Sequence, residues 1–279
     1  MTSRQSILIT GCSSGIGLDA ALHLDKAGWH VVASCRKLAD CTRLTTQYAL
    51  DTVLIDYEKP ETITSGFKAA LSLTNGKLDA LFNNGAYAIP GAVEDLPTDA
   101  LRAIFEANFF GWHSLSRQTV ALMRRQGYGR IIQNSSVLGF AALRYRGAYN
   151  ATKFALEGLT DTMRLELKDS PIKLILIEPG PIRTEIRRNS LPHFEKWISV
   201  SDSAHKTVYH DQLIPTLIAK DTPKHPLELT PQATSALILH ALTTKNPKPR
   251  YRVTWATSFM MIAKRLLPSR WMDRLSARI

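Results

Sequence analysis

The 279-residue sequence predicts one α/β domain, a doubly wound parallel sheet carrying an inserted lid and a C-terminal helical tail. Three observations predict it. Short apolar, β-branched runs recur along the chain, stretches with helical spacing of apolar residues separate them, and the first run ends in a glycine-rich turn that opens a helix. With 44% hydrophobic residues the chain can bury a sizeable core, and its length fits one domain with extensions. No stretch reaches the roughly 18 consecutive apolar residues that a membrane span needs.

The elements follow in order. Residues 7–10, 30–34, 53–56, 78–83, 129–135 and 172–178 read as buried parallel strands. Between them, residues 16–27, 61–73, 100–125 and 149–168 carry apolar positions at helical spacing. Strands alternating with helices imply right-handed crossovers within a single sheet. Residues 181–228 break the rhythm and contain Pro181, Pro192, Pro215, Pro223 and Pro226, so they are expected to be an irregular lid or binding segment. A helix over about residues 230–243 and a strand near 251–254 complete the sheet. A tail from about 255 to 279 follows. No internal repeat or low-complexity segment interrupts residues 1–279, which read as one domain.

Charge and cysteine usage narrow the function classes. The formal charge is +11, yet residues 245–279 hold nine Lys or Arg against the single acid Asp273, which leaves +3 for the rest. The basicity is therefore local, and without a recognition module it does not point to nucleic acid. Cys12, Cys35 and Cys41 have no paired metal-ligand spacing, so neither a zinc site nor any other metal centre is expected. The short polar N-terminus does not read as a signal peptide, so none is expected, and the cytoplasm is the expected location.

The first strand ends in Thr10-Gly11-Cys12-Ser13-Ser14-Gly15-Ile16-Gly17. Glycines allow positive φ and close backbone approach to a pyrophosphate, which can then rest on the helix N-terminus. The Gly-x-x-x-Gly-x-Gly spacing departs from the usual dinucleotide fingerprint, and tight helix–strand packing is the alternative explanation. Context favours the cofactor: first strand, first helix, then Cys35-Arg36-Lys37 after the second strand, where NAD-specific sites place a carboxylate. Two cations and no acid favour NADP(H) over NAD(H), unless Arg36 and Lys37 are merely solvated helix-start charges. Asp56 at the end of the third strand could receive the adenine amino group or simply cap its turn. Asn83-Asn84-Gly85-Ala86 forms a polar corner at the carboxyl edge, where ligands bind in open α/β sheets. These features together describe a Rossmann-type dinucleotide fold.

The fifth strand runs into Ser135-Ser136-Val137-Leu138-Gly139, and Tyr149-Asn150-Ala151-Thr152-Lys153 follows 13 residues after Ser136. Helical i, i+4 spacing puts Tyr149 and Lys153 on one face. Alone that pair is weak; joined to the glycine turn, Asn108 and Ser136 it becomes specific.

Over nearly all of residues 5–245 the chain resembles the short-chain dehydrogenases/reductases, through Thr10–Gly17, Asn83–Ala86, Asn108, Ser136, Tyr149/Lys153 and Pro179-Gly180 with Thr184. The resemblance implies a tetrad of Asn108, Ser136, Tyr149 and Lys153 acting on a carbonyl or alcohol. Ser136 would hold the substrate oxygen, Asn108 would anchor a water leading to Lys153, and Lys153 would also bind the nicotinamide ribose. Gly11, Ser13, Ser14, Gly15, Ile16 and Gly17 would meet the pyrophosphate, with Arg36, Asp56, Asn83 and Gly85 on the adenosine and ribose side. Pro179, Gly180, Ile182 and Thr184 would face the carboxamide and pyrophosphate. Asn83-Asn84-Gly85-Ala86 reverses the family's usual final Ala-Gly, and Arg144, Tyr145 and Arg146 crowd the approach to Tyr149.

The chemistry suits these residues. A carbonyl that accepts hydride needs a proton for its oxygen. An ammonium about 4 Å from a phenol contributes on the order of 4 kcal/mol at an effective dielectric of about 20. That is enough to bring Tyr149 down by roughly three pKa units.

Ile182, Ile186, Leu191, Phe194, Trp197, Ile198 and Val200 of the lid, with Tyr87, Ile89, Val137, Leu143 and Tyr145, either line an apolar pocket for a lipophilic carbonyl or pack the lid onto the body. The chain is similar to bacterial NADPH-dependent aldehyde reductases near the retinol and hydroxysteroid dehydrogenase branch, which implies aldehyde or ketone reduction by a homodimer or homotetramer. In the tail, Phe259, Ile262 and Leu266 share a helical face, and Pro268 separates it from Trp271, Met272 and Leu275. Packing on the body or a dimer partner is favoured over peripheral membrane contact. A nucleotide-sensing regulator or a membrane-peripheral scaffold on the same fold is the competing function, since a fold does not dictate one.

Overall fold

In a computed structural model that describes residues 4–219 and 227–277, seven short runs form a single sheet. They are β1 (Ser6–Ile9), β2 (His30–Cys35), β3 (Asp51–Leu54), β4 (Ala80–Asn83), β5 (Gly129–Asn134), β6 (Ile172–Glu178) and β7 (Arg250–Arg252). All pairings are parallel, in the order β3-β2-β1-β4-β5-β6-β7. The apolar residues of each strand alternate between two cores, as a sheet covered on both faces requires. Ile7 and Ile9 join one, Leu8 the other.

The helices are α1 (Gly15–Lys26), α2 (Leu38–Tyr48), α3 (Pro60–Leu73), α4 (Thr98–Phe105), α5 (Gly111–Gln126), α6 (Gly147–Glu166), α7 (Ile186–Trp197), α8 (Lys206–Val208), α9 (Ile214–Ile218), α10 (Pro231–Thr243), α11 (Trp255–Leu266) and α12 (Ser269–Ser276). On one face α1 and α10 bury Ala20, Leu24, Ile238 and Leu242; on the other, α3, α5 and α6 bury Phe67, Trp112, Leu115 and Leu156. Because every strand runs the same way, the segments after β1 to β6 emerge at one edge. The chain order reverses between β1 and β4, which opens a crevice there.

Two expectations need correction. The helix expected over 100–125 is split by a π turn at Glu106–Phe110, which places Asn108 at the break. The segment 181–228 is largely helical where it is described, through α7, α8, a π turn at Tyr209–Leu213, and α9. Its prolines do not forbid this: Pro215 sits in the first turn of α9, where no N–H partner is needed, and α7 carries Pro192 internally. Phe194, Ile198, Tyr209, Leu213 and Leu217 hold these short helices against Ala92, so packing outweighs propensity. The tail forms two helices, with Pro268 at the N-cap of α12. The N-terminal residues 1–3, the lid prolines Pro223 and Pro226, and Arg278 of the tail lie outside the described residues. Cys12, Cys35 and Cys41 are free and buried. Among the described residues no cluster of potential metal ligands occurs, and no helix is long and apolar enough to cross a membrane.

Candidate active site

The glycine turn is built by backbone-on-backbone packing. Gly11 (φ +68°) would place a Cβ 2.5 Å from the Cα of Gly85, and a Cβ on Gly17 would lie 2.3 Å from the Gly11 carbonyl oxygen. Neither position tolerates a side chain, so α1 is held close to β1 and the turn close to the loop after β4. Gly15 (φ +58°) faces Thr184, whose Cβ stands 3.3 Å from where a Gly15 Cβ would be. The turn and the segment after β6, far apart in sequence, are therefore brought together. Ser14, the N-cap of α1, makes no side-chain cap bond, and the first turn of α1 carries no acid. The N–H groups that open α1 are thus left to a diphosphate, and the residues fit a dinucleotide. Ser13 and Ile16 are half-buried beside the turn, and Arg43 of α2 donates to the Ser13 carbonyl at 2.7 Å.

Thr10 and Tyr57 lock this turn to the corner after β4. Thr10 Oγ1 accepts from the backbone N–H of Asn84 (2.9 Å) and Gly85 (3.2 Å). The Tyr57 hydroxyl lies 2.8 Å from Thr10 Oγ1 and 2.7 Å from Asn83 Oδ1. The side chain of Asn83 is fully buried and donates to Ser116 and Gln133 inside the core, both at 3.0 Å. Asn84 instead braces the glycine turn through Thr10 O (3.0 Å). Asp56 is half-buried just past β3, and its Oδ1 accepts from the Glu58 N–H at 3.2 Å, a self-capped turn.

Arg36 is exposed, and its charge reaches the lid. His193 of α7 stacks flat on Tyr87, ring centroids 3.8 Å apart, while the Tyr87 hydroxyl donates to Glu58 at 2.7 Å. Burial, then Arg36 and Lys196, push the His193 imidazole down to about 4. Nothing in residues 181–228 signalled this contact, since His193 belongs to no motif.

Around the reacting group, Tyr149 and Lys153 lie on one face of α6, with Lys153 Nζ 5.4 Å from the centre of the Tyr149 ring. Lys153 is fully buried; its Nζ donates to Asn134 O at 2.6 Å and sits 4.3 Å above the Trp112 ring. Trp112 in turn donates to Gly85 O at 2.8 Å, which ties the lysine's floor to the glycine corner. Ser136 is half-buried and its Oγ accepts from Leu138 N–H at 3.1 Å, whereas Ser135 is buried and turned toward Glu157 and Gly139. Asn150, next to Tyr149, donates to Leu138 O and Ala141 O, both at 3.0 Å, and so fastens the Ser136 segment to α6. Asn108 is fully buried: its amide bonds reciprocally to the Tyr87 backbone (3.1 and 2.8 Å) and reaches Thr152 at 3.4 Å. Its side chain is a brace for the Tyr87 loop.

The expected lowering of Tyr149 is not met. Burial raises its phenol well above the ordinary 10 and lowers Lys153 from 10.5 to about 7. The physical reason is that the same desolvation acts on both partners, and a lysine that ionises near neutrality supplies only part of a positive charge.

After β6, Pro179 O accepts from Val137 N–H at 2.8 Å, and a Cβ on Gly180 would meet Thr254 Oγ1 at 2.2 Å. Ile182 pairs with Leu229 in an isolated bridge. The residues expected to line a pocket divide. Leu191, Phe194, Ile198, Val200 and Tyr145 pack the lid onto the body, while Trp197, Tyr87 and Ile89 gather with Tyr149. Tyr145, at φ +58°, turns toward His205 and Tyr209 of the lid, with the exposed Arg144 over its ring.

With this geometry described, similarity to known proteins can be placed. The family model described as short chain dehydrogenase matches residues 5–194. An uncharacterised oxidoreductase of Escherichia coli (strain K12), YbbO, is 39% identical over 272 residues, covering 98% of this chain and 94% of its own. A mouse protein named 17-beta-hydroxysteroid dehydrogenase type 6 is 31% identical, covering 97% and 87%. Among solved structures, a short-chain dehydrogenase from Streptomyces avermitilis superimposes with a TM-score of 0.76 at 26% identity, covering 94% of this chain and 92% of that one.

Proposed function

The chain belongs to the short chain dehydrogenase family of oxidoreductases, and on that premise we propose that it interconverts a lipophilic aldehyde or ketone and its alcohol, with NADP(H) as hydride carrier and Tyr149 as acid and base. The observation that carries the reading is the clasp of α6 on the Ser136 segment. Asn150 ties that segment beside Tyr149, while Lys153 lies buried one turn along the same face. A buried lysine against a tyrosine is expensive to fold around, and proton transfer is a use that repays it.

When bound, NADPH supplies the hydride that the carbonyl carbon receives. Tyr149 gives its phenolic proton to the carbonyl oxygen, and Lys153, which ionises near neutrality, returns one to it. Ser136 donates to the same oxygen and holds it in place. The uncapped start of α1 with Gly15 and Thr184 would hold the diphosphate; Gly85, Pro179 and Gly180 would border the nicotinamide end, and Asp56 the adenine. Arg36 and Lys196 of the lid, whose charges both reach His193, support NADP(H) over NAD(H), because cationic groups suit a 2′-phosphate. Trp197, Tyr87 and Ile89 around Tyr149 support an apolar substrate, in keeping with the hydroxysteroid dehydrogenase named among the relatives. Exposed Phe110, Phe154 and Leu165 on and beside α5 and α6 support a homodimer or homotetramer, working in the cytoplasm or at its membrane face.

The test follows the loss of NADPH or NADH absorbance against a panel of aldehydes and ketones, with Arg36→Ser alongside. Turnover with NADPH preferred, and a preference cut roughly tenfold or more in Arg36→Ser, is the expected result. Turnover with NADH alone would overturn the cofactor assignment. Cofactor binding with no carbonyl turned over would favour the sensing role instead.

A further inference from the structure

Helix α11 is apolar on two faces. Thr257, Met260 and Ala263 are buried, and the last two pack with Val137, Phe140 and Ala141 of the segment that follows Ser136. On the other side Trp255, Phe259, Ile262 and Leu266 recur at steps of four, three and four residues, which aligns them in one stripe. This stripe is uncovered: Trp255 is 67% exposed, Ile262 56% and Leu266 75%, and the Trp255 and Phe259 rings stack on each other in solvent at 5.6 Å. Helix α12 extends it with Trp271, 59% exposed. Lys264, Arg265, Arg270 and Arg274 surround the stripe, all exposed, against the one acid Asp273. None of the four is in an ion pair among the described residues, and Arg274 lies 5.7 Å over the Trp271 ring.

We propose that α11 and α12 form a docking face for an anionic lipid surface, with the aromatic stripe in the interfacial layer and the four cations on the headgroups. Charge decides between occupants. A second copy joined through this patch across a two-fold axis would set four cations against four cations with little acid to offset them. An anionic bilayer meets both features at once: tryptophan rings settle at the headgroup boundary, and each nearby Lys or Arg adds attraction. The opposite face of α11 rests on the Ser136 segment, so docking sets that side of the crevice next to the lipid. Delivery of a lipophilic substrate from the bilayer would rest on the carbonyl chemistry proposed above; the docking itself does not.

Co-sedimentation of the full chain with phosphatidylcholine vesicles, with and without phosphatidylglycerol, tests docking apart from any activity. Three proteins are compared: the unaltered chain, a stripe variant (Trp255→Ser, Phe259→Ser, Ile262→Ser, Leu266→Ser) and a charge variant (Lys264→Gln, Arg265→Gln, Arg270→Gln, Arg274→Gln). Binding is expected only with phosphatidylglycerol, lost in the stripe variant, and weakened about fivefold per cation removed. Added salt should weaken it too. Brominated lipid should quench tryptophan emission in the unaltered chain, by an amount that falls in Trp255→Phe, a readout that needs no folded variant beyond a conservative one. Absence of binding to anionic vesicles, or binding indifferent to both variants, would overturn the proposal. So would a stripe variant that changes the assembly state in light scattering while the unaltered chain ignores vesicles; that result would assign the face to a second copy.

Discussion

Helices α6 and α11 pack on the same short segment after Ser136, and they depart from the ordinary division of side chains in opposite senses. In α6 a lysine and a glutamate are taken inside: Lys153 is 1% exposed and Glu157 9%. In α11 the large apolar side chains stand outside. Each departure opposes folding, α6 by desolvating charge and α11 by leaving hydrocarbon in water. The difference teaches where each helix makes its use of the fold. The α6 anomaly faces inward, where the proposed reaction moves a proton; the α11 anomaly faces outward, where the proposed docking meets an apolar layer.

The contrast can be broken most severely at Lys153. Lys153→Met fills the same buried volume without charge, and turnover should fall by roughly 10²–10⁴-fold while the thermal midpoint holds or rises. A variant that keeps full turnover would remove Lys153 from the chemistry. The charge on Lys153 should also show in stability. Its pKa is about 7 when folded against an ordinary 10.5, so the unfolded chain binds more protons between those values. Stability of the natural chain relative to Lys153→Met should therefore rise as pH climbs from about 7 to about 10.5. The slope is at most about 1.4 kcal/mol per unit. Denaturant titrations across that range check it, and a flat difference would mean that Lys153 is not desolvated.

On α11 the two faces should separate cleanly. Met260→Ala, on the face against Phe140 and Ala141, should lower stability by about 2–3 kcal/mol through the cavity left. Trp255→Ser, on the outer stripe, should stay within about 0.5 kcal/mol although it removes a far larger side chain. Chemical denaturation of both variants decides it; equal losses would mean that the stripe is packed, not presented.

Much of this was legible in the sequence because it is local or periodic. The strands at β2 and β6 follow their β-branched runs, and Tyr149 and Lys153 announce themselves by i, i+4 spacing. Helix α2 was not read because Thr42, Thr45 and Thr46 weaken the helical pattern and only Cys41 and Leu44 are buried along it. The lid helices were hidden by proline counting, since they pack against Ala92, about a hundred residues away in sequence. In the site, the inward turn of Asn83, the Trp112 floor under Lys153 and the His193–Tyr87 stack are tertiary contacts with no spacing rule to betray them. The pKa of Tyr149 failed as an expectation for the same reason: charge proximity is readable from a motif, but desolvation is set by the surrounding fold.

Deuterium transfer tests the central claim most directly. NADPH carrying deuterium at the transferable position would be incubated with a long-chain aldehyde and the natural chain, and in parallel with Tyr149→Phe. The account predicts one deuterium on the carbinol carbon of the alcohol formed, and product falling by roughly 10²–10⁴-fold in the variant although the cofactor still binds. Alcohol without deuterium, or equal product from Tyr149→Phe, would contradict it.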